Sequence, residues 1–480
     1  MGFALTPIKF GTDGWRGVIG ADFTFERVVL LAPLAAKVLE ANYGQPGLKP
    51  LVVVGYDRRF MAEDFAKIAA EAIQEVGFDV LLSEGYAPTP AFSWAAKAQN
   101  AVGAIVLTAS HNPARYLGLK VKGAFGGSVA PEITQQIEAL IPQGAIPATT
   151  PGTLTLFDPW ESYCQGLRQL VNVQKIAEAI ASGQARIFAD AMHGAAATGL
   201  ERLLGVQIEE MNGDRDPLFN GGAPEPLEKN VGEFLTRIRQ AAKENPEPLR
   251  VGLVFDGDCD RIAAADGQGN FLSSQILIPI LIEHLAQRRG YSGEVVKTVS
   301  GSDLIPKIAE LYGLSLYQTP IGYKYIGDRM LKSQVLLGGE ESGGIGYGHH
   351  IPERDALLSA LYVLEAAIES NQDLSQLYQS LQQRTGFQSQ YDRIDLPLPN
   401  MEVRQKLLDS LQNNPIQEVA GQAVVDCLTV DGYKFRLADN RWLLIRFSGT
   451  EPVLRLYCEA ADSDRVQETL EWARNWANSI

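Results

Sequence analysis

The chain has 480 residues, 46% of them hydrophobic, and carries 42 Lys plus Arg against 57 Asp plus Glu, a formal charge of −15 at pH 7. At about 150 residues per domain this length calls for three or four domains, each able to bury a sizeable core. The net negative field repels polyanions and argues against a nucleic-acid partner, so a small phosphate ligand would need a locally basic cleft. Cys164, Cys259, Cys427 and Cys458 are far apart, and no amino-terminal signal pattern accompanies them, which reads as a reduced, cytoplasmic protein. The apolar runs are strand-sized or amphipathic, short of the roughly 18 consecutive residues a spanning helix needs, so no membrane partner is expected.

Near the amino terminus, Phe10-Gly11-Thr12-Asp13-Gly14-Trp15-Arg16-Gly17 combines turn-permitting glycines with Arg16, whose planar, always-charged fork suits a phosphate. Leu51 to Val54 reads as a buried strand and Gly55 to Arg59 as its loop. Phe65, Ile68, Ala69, Ala72, Ile73 and Val76 then recur at spacings of three and four as one helix face. Strands are expected again at Val80 to Leu82 and Ala101 to Leu107, the alternation of a wound α/β domain. Arg58 and Arg59 read as surface charges or domain-interface partners. The run Thr108-Ala109-Ser110-His111-Asn112-Pro113 falls on the loop at the carboxyl end of the third strand, where open α/β sheets place their chemistry. A serine hydroxyl is a weak nucleophile and needs a base, a metal or an activated group beside it; His111 is adjacent. Taken alone, the six residues would serve equally as a turn. Lys120 follows in Gly118-Leu119-Lys120-Val121, before a glycine-rich turn at residues 123–127.

The Pro, Thr and Gly-rich stretch 149–159 reads as a linker. A second α/β unit has a strand at Ala185 to Ala189, a loop at Asp190 to Gly194 and a helix at Ala195 to Leu204; His193, without companions, reads as structural. The buried strand Val251 to Phe255 runs into Asp256-Gly257-Asp258-Cys259-Asp260-Arg261. Three carboxylates at alternate positions repel unless a cation neutralises them, and all-oxygen ligation suits a hard ion such as Mg²⁺. A calcium loop of the EF-hand type is excluded by Arg261 where glycine is required, by Gly267 where glutamate is required, and by a strand where a helix must precede.

A third unit begins near Gly267, with a strand at Val295 to Val299, a helix starting at Ser302-Asp303 and a strand at Val335 to Leu337. That strand ends in Gly338-Gly339-Glu340-Glu341-Ser342-Gly343-Gly344, where an acid and a hydroxyl among glycines can exchange hydrogen bonds with sugar hydroxyls. Arg354 either contacts a ligand or rides, exposed, on a helix beginning at Glu353. A helix over Leu374 to Gln383 leads to a boundary near Thr385. Beyond it the strands are grouped, notably Trp442 to Arg446 and Val453 to Tyr457, between helices near Glu402 to Leu411 and Arg465 to Trp476, which suggests an α+β domain. Between those strands, Arg446-Phe447-Ser448-Gly449-Thr450-Glu451-Pro452 offers an arginine, hydroxyls and turn amides as a phosphate cradle.

These four runs, in this order and spanning essentially the whole chain, resemble the motifs of the α-D-phosphohexomutase superfamily, the phosphoglucomutases, phosphomannomutases and phosphoglucosamine mutases. The resemblance implies three wound α/β domains, 1–150, 151–266 and 267–385, and a C-terminal α+β domain, 386–480, around a central cleft. It implies that Ser110 carries the transferable phosphate, supported by His111, Lys120 and Arg261, and that Asp256, Asp258 and Asp260 bind Mg²⁺ together with an oxygen on Ser110. Substrate contacts would come from Arg16, Glu340, Ser342 and Arg354, and from the phosphate loop through Arg446, Ser448, Gly449 and Thr450. The implied reaction interconverts hexose 1-phosphates and 6-phosphates through a glucose 1,6-bisphosphate intermediate. Gly344 replaces a histidine found in many bacterial members, which points to the phosphoglucomutase branch, glucose preferred and mannose accepted. A bisphosphate synthase, a phosphoglucosamine mutase, a phosphatase and a non-enzymatic sugar-phosphate sensor are the rival readings.

Overall fold

A computed structural model describes residues 7–11, 13–448 and 452–480, which form four sheets in succession along the chain. The first contains β1 (Trp15–Val18), β2 (Leu51–Tyr56), β3 (Asp79–Ser83), β4 (Gly103–Leu107), β5 (Tyr116–Gly123) and β6 (Leu154–Phe157), in the order β1-β5-β4-β2-β3-β6. β4 is buried at every residue because both sheet faces are covered, which explains its unbroken apolar sequence. One face packs on helices Phe25–Tyr43 and Ala62–Glu75, the second burying Phe65, Ala69, Ala72 and Ile73 as their spacing predicts. On the other face, Val53, Ala104 and Val106 join a continuous apolar core that runs on through the second and third units.

Residues 149–159 are not simply a linker. Leu154–Phe157 pairs in parallel with β3 and adds a sixth strand to the first sheet. The alternation of Leu154, Thr155, Leu156 and Phe157 was masked by the surrounding prolines, threonines and glycine.

The second sheet holds β7 (Ala185–Asp190), β8 (Glu209–Met211), β9 (Leu249–Phe255), β10 (Ile262–Ala265) and β11 (Phe271–Leu272), ordered β11-β10-β9-β7-β8. The helix after β7 covers only Gly199–Leu204 rather than starting at Ala195. Met192, His193 and Thr198 take positive φ, a backbone state that cannot continue a right-handed helix. The third sheet holds β12 (Glu294–Thr298), β13 (Leu316–Thr319), β14 (Val335–Gly339) and β15 (Ile345–Tyr347), ordered β13-β12-β14-β15. Its helix Ala356–Ser370 is buried from Ala356 to Ile368 and is capped by the Asp355 side chain.

The fourth sheet is antiparallel: β16 (Gln390–Pro397), β17 (Glu418–Val419), β18 (Gln422–Leu428), β19 (Tyr433–Leu437), β20 (Trp442–Phe447) and β21 (Val453–Ala460), ordered β16-β21-β20-β19-β18-β17. Helices Met401–Asn413 and Ser463–Asn478 close its own core on one face. From the other face Trp442, Leu444 and Tyr457 pack with Val299 of the third unit. The architecture is therefore three α/β domains followed by an α+β domain. Among the described residues no helix is long and apolar enough to cross a membrane.

Candidate active site

The β4–β5 connection is an antiparallel hairpin, and its register sets Val106 opposite Lys120 and Leu107 opposite Leu119. Pairing thus folds Lys120 back to the mouth of the Ser110 loop. Ser110 is buried, and its hydroxyl donates to Asp256 Oδ2 at 2.8 Å while lying 3.3 Å from His111 Nδ1. Burial, with Arg261 and Arg16 nearby, pushes the His111 imidazole well below its ordinary pKa, so it is neutral at pH 7. Arg16 donates to the Asn112 side chain and so borders the same loop.

Asp256, Asp258 and Asp260 lie in the β9–β10 turn, all fully buried, with one oxygen from each within 4.8 Å of the others. Asp256 Oδ1 is used by the amides of Asp260 and Arg261. Burial, Asp260 and Asp258 push the Asp256 carboxyl well up, whereas at Asp258 burial is outweighed by Lys120, Thr89 and Arg354 acting together, and the carboxyl is held low. Asp258 Oδ1 and Asp260 Oδ1 are buried without a hydrogen-bond partner. Three buried carboxylates that bring an oxygen each within 4.8 Å, two of them keeping an oxygen without a hydrogen-bond partner and the third bonded to the Ser110 hydroxyl, are the donor set a hard divalent cation requires, so these residues fit Mg²⁺.

Lys120 is buried, with its ammonium 2.7 Å from Asp13, 2.8 Å from Asp258 and 2.9 Å from Asp260. Burial opposes its charge, but these carboxylates raise its pKa above the ordinary value. Arg261 is half-buried, 3.9 Å from Asp260, and forms a backbone bridge with Gly344. Together with the Ile262 amide bond to Gly343 O, that bridge fastens the aspartate turn to the Glu340 turn.

Glu340 and Ser342 stand on the β14–β15 turn. Glu340 is buried, accepts from the Gly322 amide at 3.1 Å, and is pushed by burial to a pKa of about 7. Arg354 precedes the helix rather than riding on it. Its exposure is 5%, and it sits 2.6 Å from Asp13 and 2.7 Å from Asp260, with Glu340 at 3.9 Å. The exposed-charge alternative is excluded, because Asp355 caps the helix and turns Arg354 inward. Gly344 makes room for it: a Cβ there would lie 2.4 Å from Arg354 Cδ.

Arg446 and Ser448 lie in the fourth domain and reach the rest through a chain of contacts. Arg446 pairs with Asp431 at 3.1 Å; Asp431 accepts from the Ile321 amide, and the next amide, Gly322, donates to Glu340. Ser448 is buried. Gly449 and Thr450 lie outside the described residues.

Several residues at the site escaped the sequence reading. Asp13 stood in a glycine-rich run already singled out, yet it is the shared counterion of Lys120, Lys122 and Arg354. Thr89 donates to Asp258 Oδ2 at 2.5 Å from a helix start whose sequence carries no chemical signal. Arg455 pairs directly across from Arg446 in the β20–β21 hairpin. Of the two alternatives read for Arg58 and Arg59, surface charge or domain-interface partner, the structure agrees with the second: Arg58 donates to Gly213 O in the second domain, and Arg59 is fully buried against the Ser110 loop with its guanidinium over Phe219.

Comparison with known proteins agrees with this geometry. Sequence models of phosphoglucomutase/phosphomannomutase match in order: alpha/beta/alpha domain I at residues 7–145, domain II at 161–269, domain III at 273–385, and the C-terminal domain at 400–474. A crystal structure from Thermus thermophilus, assigned as a candidate phosphomannomutase, is 33% identical and superposes with a TM-score of 0.85 over 99% of this chain and 100% of its own. The phosphoglucomutase/phosphomannomutase of Thermococcus kodakarensis is 28% identical over 96% of both chains. The phosphoglucosamine mutase of Carboxydothermus hydrogenoformans is 28% identical over 96% of this chain and 97% of its own. The chain therefore belongs to the α-D-phosphohexomutase superfamily and is an intramolecular phosphotransferase of the phosphoglucomutase/phosphomannomutase type.

Proposed function

We propose that this phosphohexomutase interconverts hexose 1-phosphate and hexose 6-phosphate, glucose in preference to mannose, through a phosphoryl group carried on Ser110 and a 1,6-bisphosphate intermediate. The observation that carries the reading is the Ser110 hydroxyl, 2.8 Å from one of three buried aspartates and in contact with a neutral imidazole. Asp256, Asp258 and Asp260 would hold Mg²⁺, which when bound offsets the charge of the phosphoryl group. An Aspergillus fumigatus N-acetylphosphoglucosamine mutase of the same fold was solved with GlcNAc-6P and magnesium.

Within that scheme the substrate hydroxyl gives up its proton as it attacks the phosphorus, the bond to the Ser110 oxygen breaks, and that oxygen takes up a proton in turn. His111, neutral and beside the hydroxyl, is the group that can exchange that proton, while Lys120 and Arg261 supply fixed positive charge. Arg446, Ser448 and the loop 449–450 grip the phosphate that is not transferred, and Arg16 borders the transfer site. Glu340 and Ser342 accept the sugar in both orientations, so either phosphate of the bisphosphate can return to Ser110.

The preference for a neutral sugar rests on Glu341. Its Oε2 accepts from Ser300 at 2.6 Å and from Thr298 at 3.5 Å, which holds the carboxylate toward the segment that follows β12. Purified protein should be incubated with glucose, mannose and glucosamine 1-phosphates, with and without glucose 1,6-bisphosphate, and the products identified. Conversion of the glucose and mannose compounds, lost in a folded Ser110→Ala variant, is expected. Preference for the amino sugar would favour the phosphoglucosamine mutase reading, steady release of bisphosphate the synthase reading, and turnover by Ser110→Ala would refute the phosphoserine.

A further inference from the structure

Ser110 takes a left-handed backbone conformation, φ 50°, which is unfavourable for a non-glycine residue and persists only when its surroundings hold it. Both sides of the residue are held. Its N–H donates to Thr108 Oγ1 at 2.9 Å, and that hydroxyl donates to Asp57 Oδ2 at 2.6 Å. Its carbonyl accepts from Arg59 Nη2, which also reaches the Asn112 carbonyl at 2.7 Å. Nη1 of the same guanidinium donates to the carbonyls of Tyr116 at 3.1 Å and Pro113 at 3.2 Å. Asp57 completes the assembly, its Oδ1 accepting from the Arg59 amide at 3.0 Å and its Oδ2 lying 3.4 Å from Arg59 Nε. Across the domain boundary the guanidinium faces the Phe219 ring at 4.8 Å.

One buried side chain thus gathers four carbonyls, spread from Ser110 to Tyr116, in the plane of a rigid fork. Charge alone would not require this, since an ammonium is a compact donor that cannot hold four acceptors in that arrangement. Resting on the reading of Ser110 as the phosphoryl carrier, we propose that Arg59 is a positioning residue: it fixes the direction of the Ser110 hydroxyl for transfer, with Asp57 and Thr108 as its partners.

The test is Arg59→Lys in the full-length protein, compared with wild type in single-turnover labelling of Ser110 by glucose 1,6-bisphosphate, alongside steady-state kinetics and thermal unfolding. The labelling rate constant and kcat should each fall about 100-fold, the loss expected when reacting atoms are misplaced by an ångström, while labelling amplitude and the KM for hexose phosphate stay the same. A purely structural role would lower the melting temperature and the amplitude, yet the molecules that label would do so at the wild-type rate; that result overturns the proposal. Should Arg59→Lys fail to fold, Thr108→Val removes the acceptor of the Ser110 amide from the other side. It should slow labelling in the same way, and a wild-type rate there overturns the proposal equally. Absence of labelling in the wild-type protein would overturn the phosphoserine reading and this inference with it, whereas wild-type labelling with an unimpaired Arg59→Lys overturns the inference alone.

Discussion

Glu340 shows how burial, stronger than the pull of the nearby Arg354, makes a single side chain respond to pH. Its pKa is raised from the ordinary carboxylate range to about 7, so the fold favours the protonated form. The stability it contributes is therefore fully present below about pH 4.5 and is lost as pH rises through about 7. Glu340→Gln keeps an acceptor for the Gly322 amide but cannot ionise. Urea unfolding should find it more stable than wild type by about 3 kcal/mol at pH 8 and equal to it near pH 4; an offset independent of pH would contradict the assignment. Arg354 is the converse case, a cation held by buried acids. Arg354→Met leaves Asp13 and Asp260 short of a partner and should cost about 3 kcal/mol in urea unfolding, where an exposed arginine would cost almost nothing. Such residues were the least legible in the sequence. Asp13, Arg59 and Arg354 owe their roles to partners in distant segments, and no local spacing announces a partner more than a hundred residues away, as between Arg354 and Asp13.

One device recurs at the level of elements. In each α/β domain a strand with a parallel neighbour on one side turns back into an antiparallel one on the other: β4 into β5, β9 into β10, β14 into β15. The turn of each hairpin holds candidate site residues, and the β20–β21 hairpin of the fourth domain holds two more, Arg446 at the end of β20 and Ser448 just after it. The sequence made the first strand of each pair readable, because a buried strand is a short unbroken apolar run. It hid the β5 partner, since Lys120 and Lys122 break the apolar pattern while being almost fully buried on ion pairs. Two turns also meet backbone to backbone: a Cβ on Gly257 would lie 2.4 Å from the Ser110 carbonyl oxygen and 2.9 Å from Pro224 Cγ. Gly257→Ala should therefore push the aspartate turn off the serine loop. We expect a stability loss of about 1–3 kcal/mol, as for overpacking, together with a lower kcat and a higher magnesium requirement, read from a metal titration of activity. Unchanged kinetics would show that the two loops function independently.

For the whole molecule, the division into four domains followed from the order of the motifs, but their coupling did not. The fourth domain is tied to the third through Glu459, which accepts from the Asp303 amide and Trp442 Nε1, each at 2.7 Å, and from the hydroxyls of Ser302 and Ser389. None of these residues stands out in the sequence, because each is ordinary until the sheet face of one domain meets the strand ends of the other. The late strand β6 carries a practical consequence for anyone dividing this protein. A fragment ending at residue 145, where the first family match stops, would leave β3 as a bare sheet border, its amides and carbonyls open to any other chain. Extending the cut to residue 158 restores its natural neighbour. The shorter piece should form concentration-dependent aggregates in light scattering where the longer one does not, so for this first domain the safe place to cut lies beyond the strand that composition disguises as a tether.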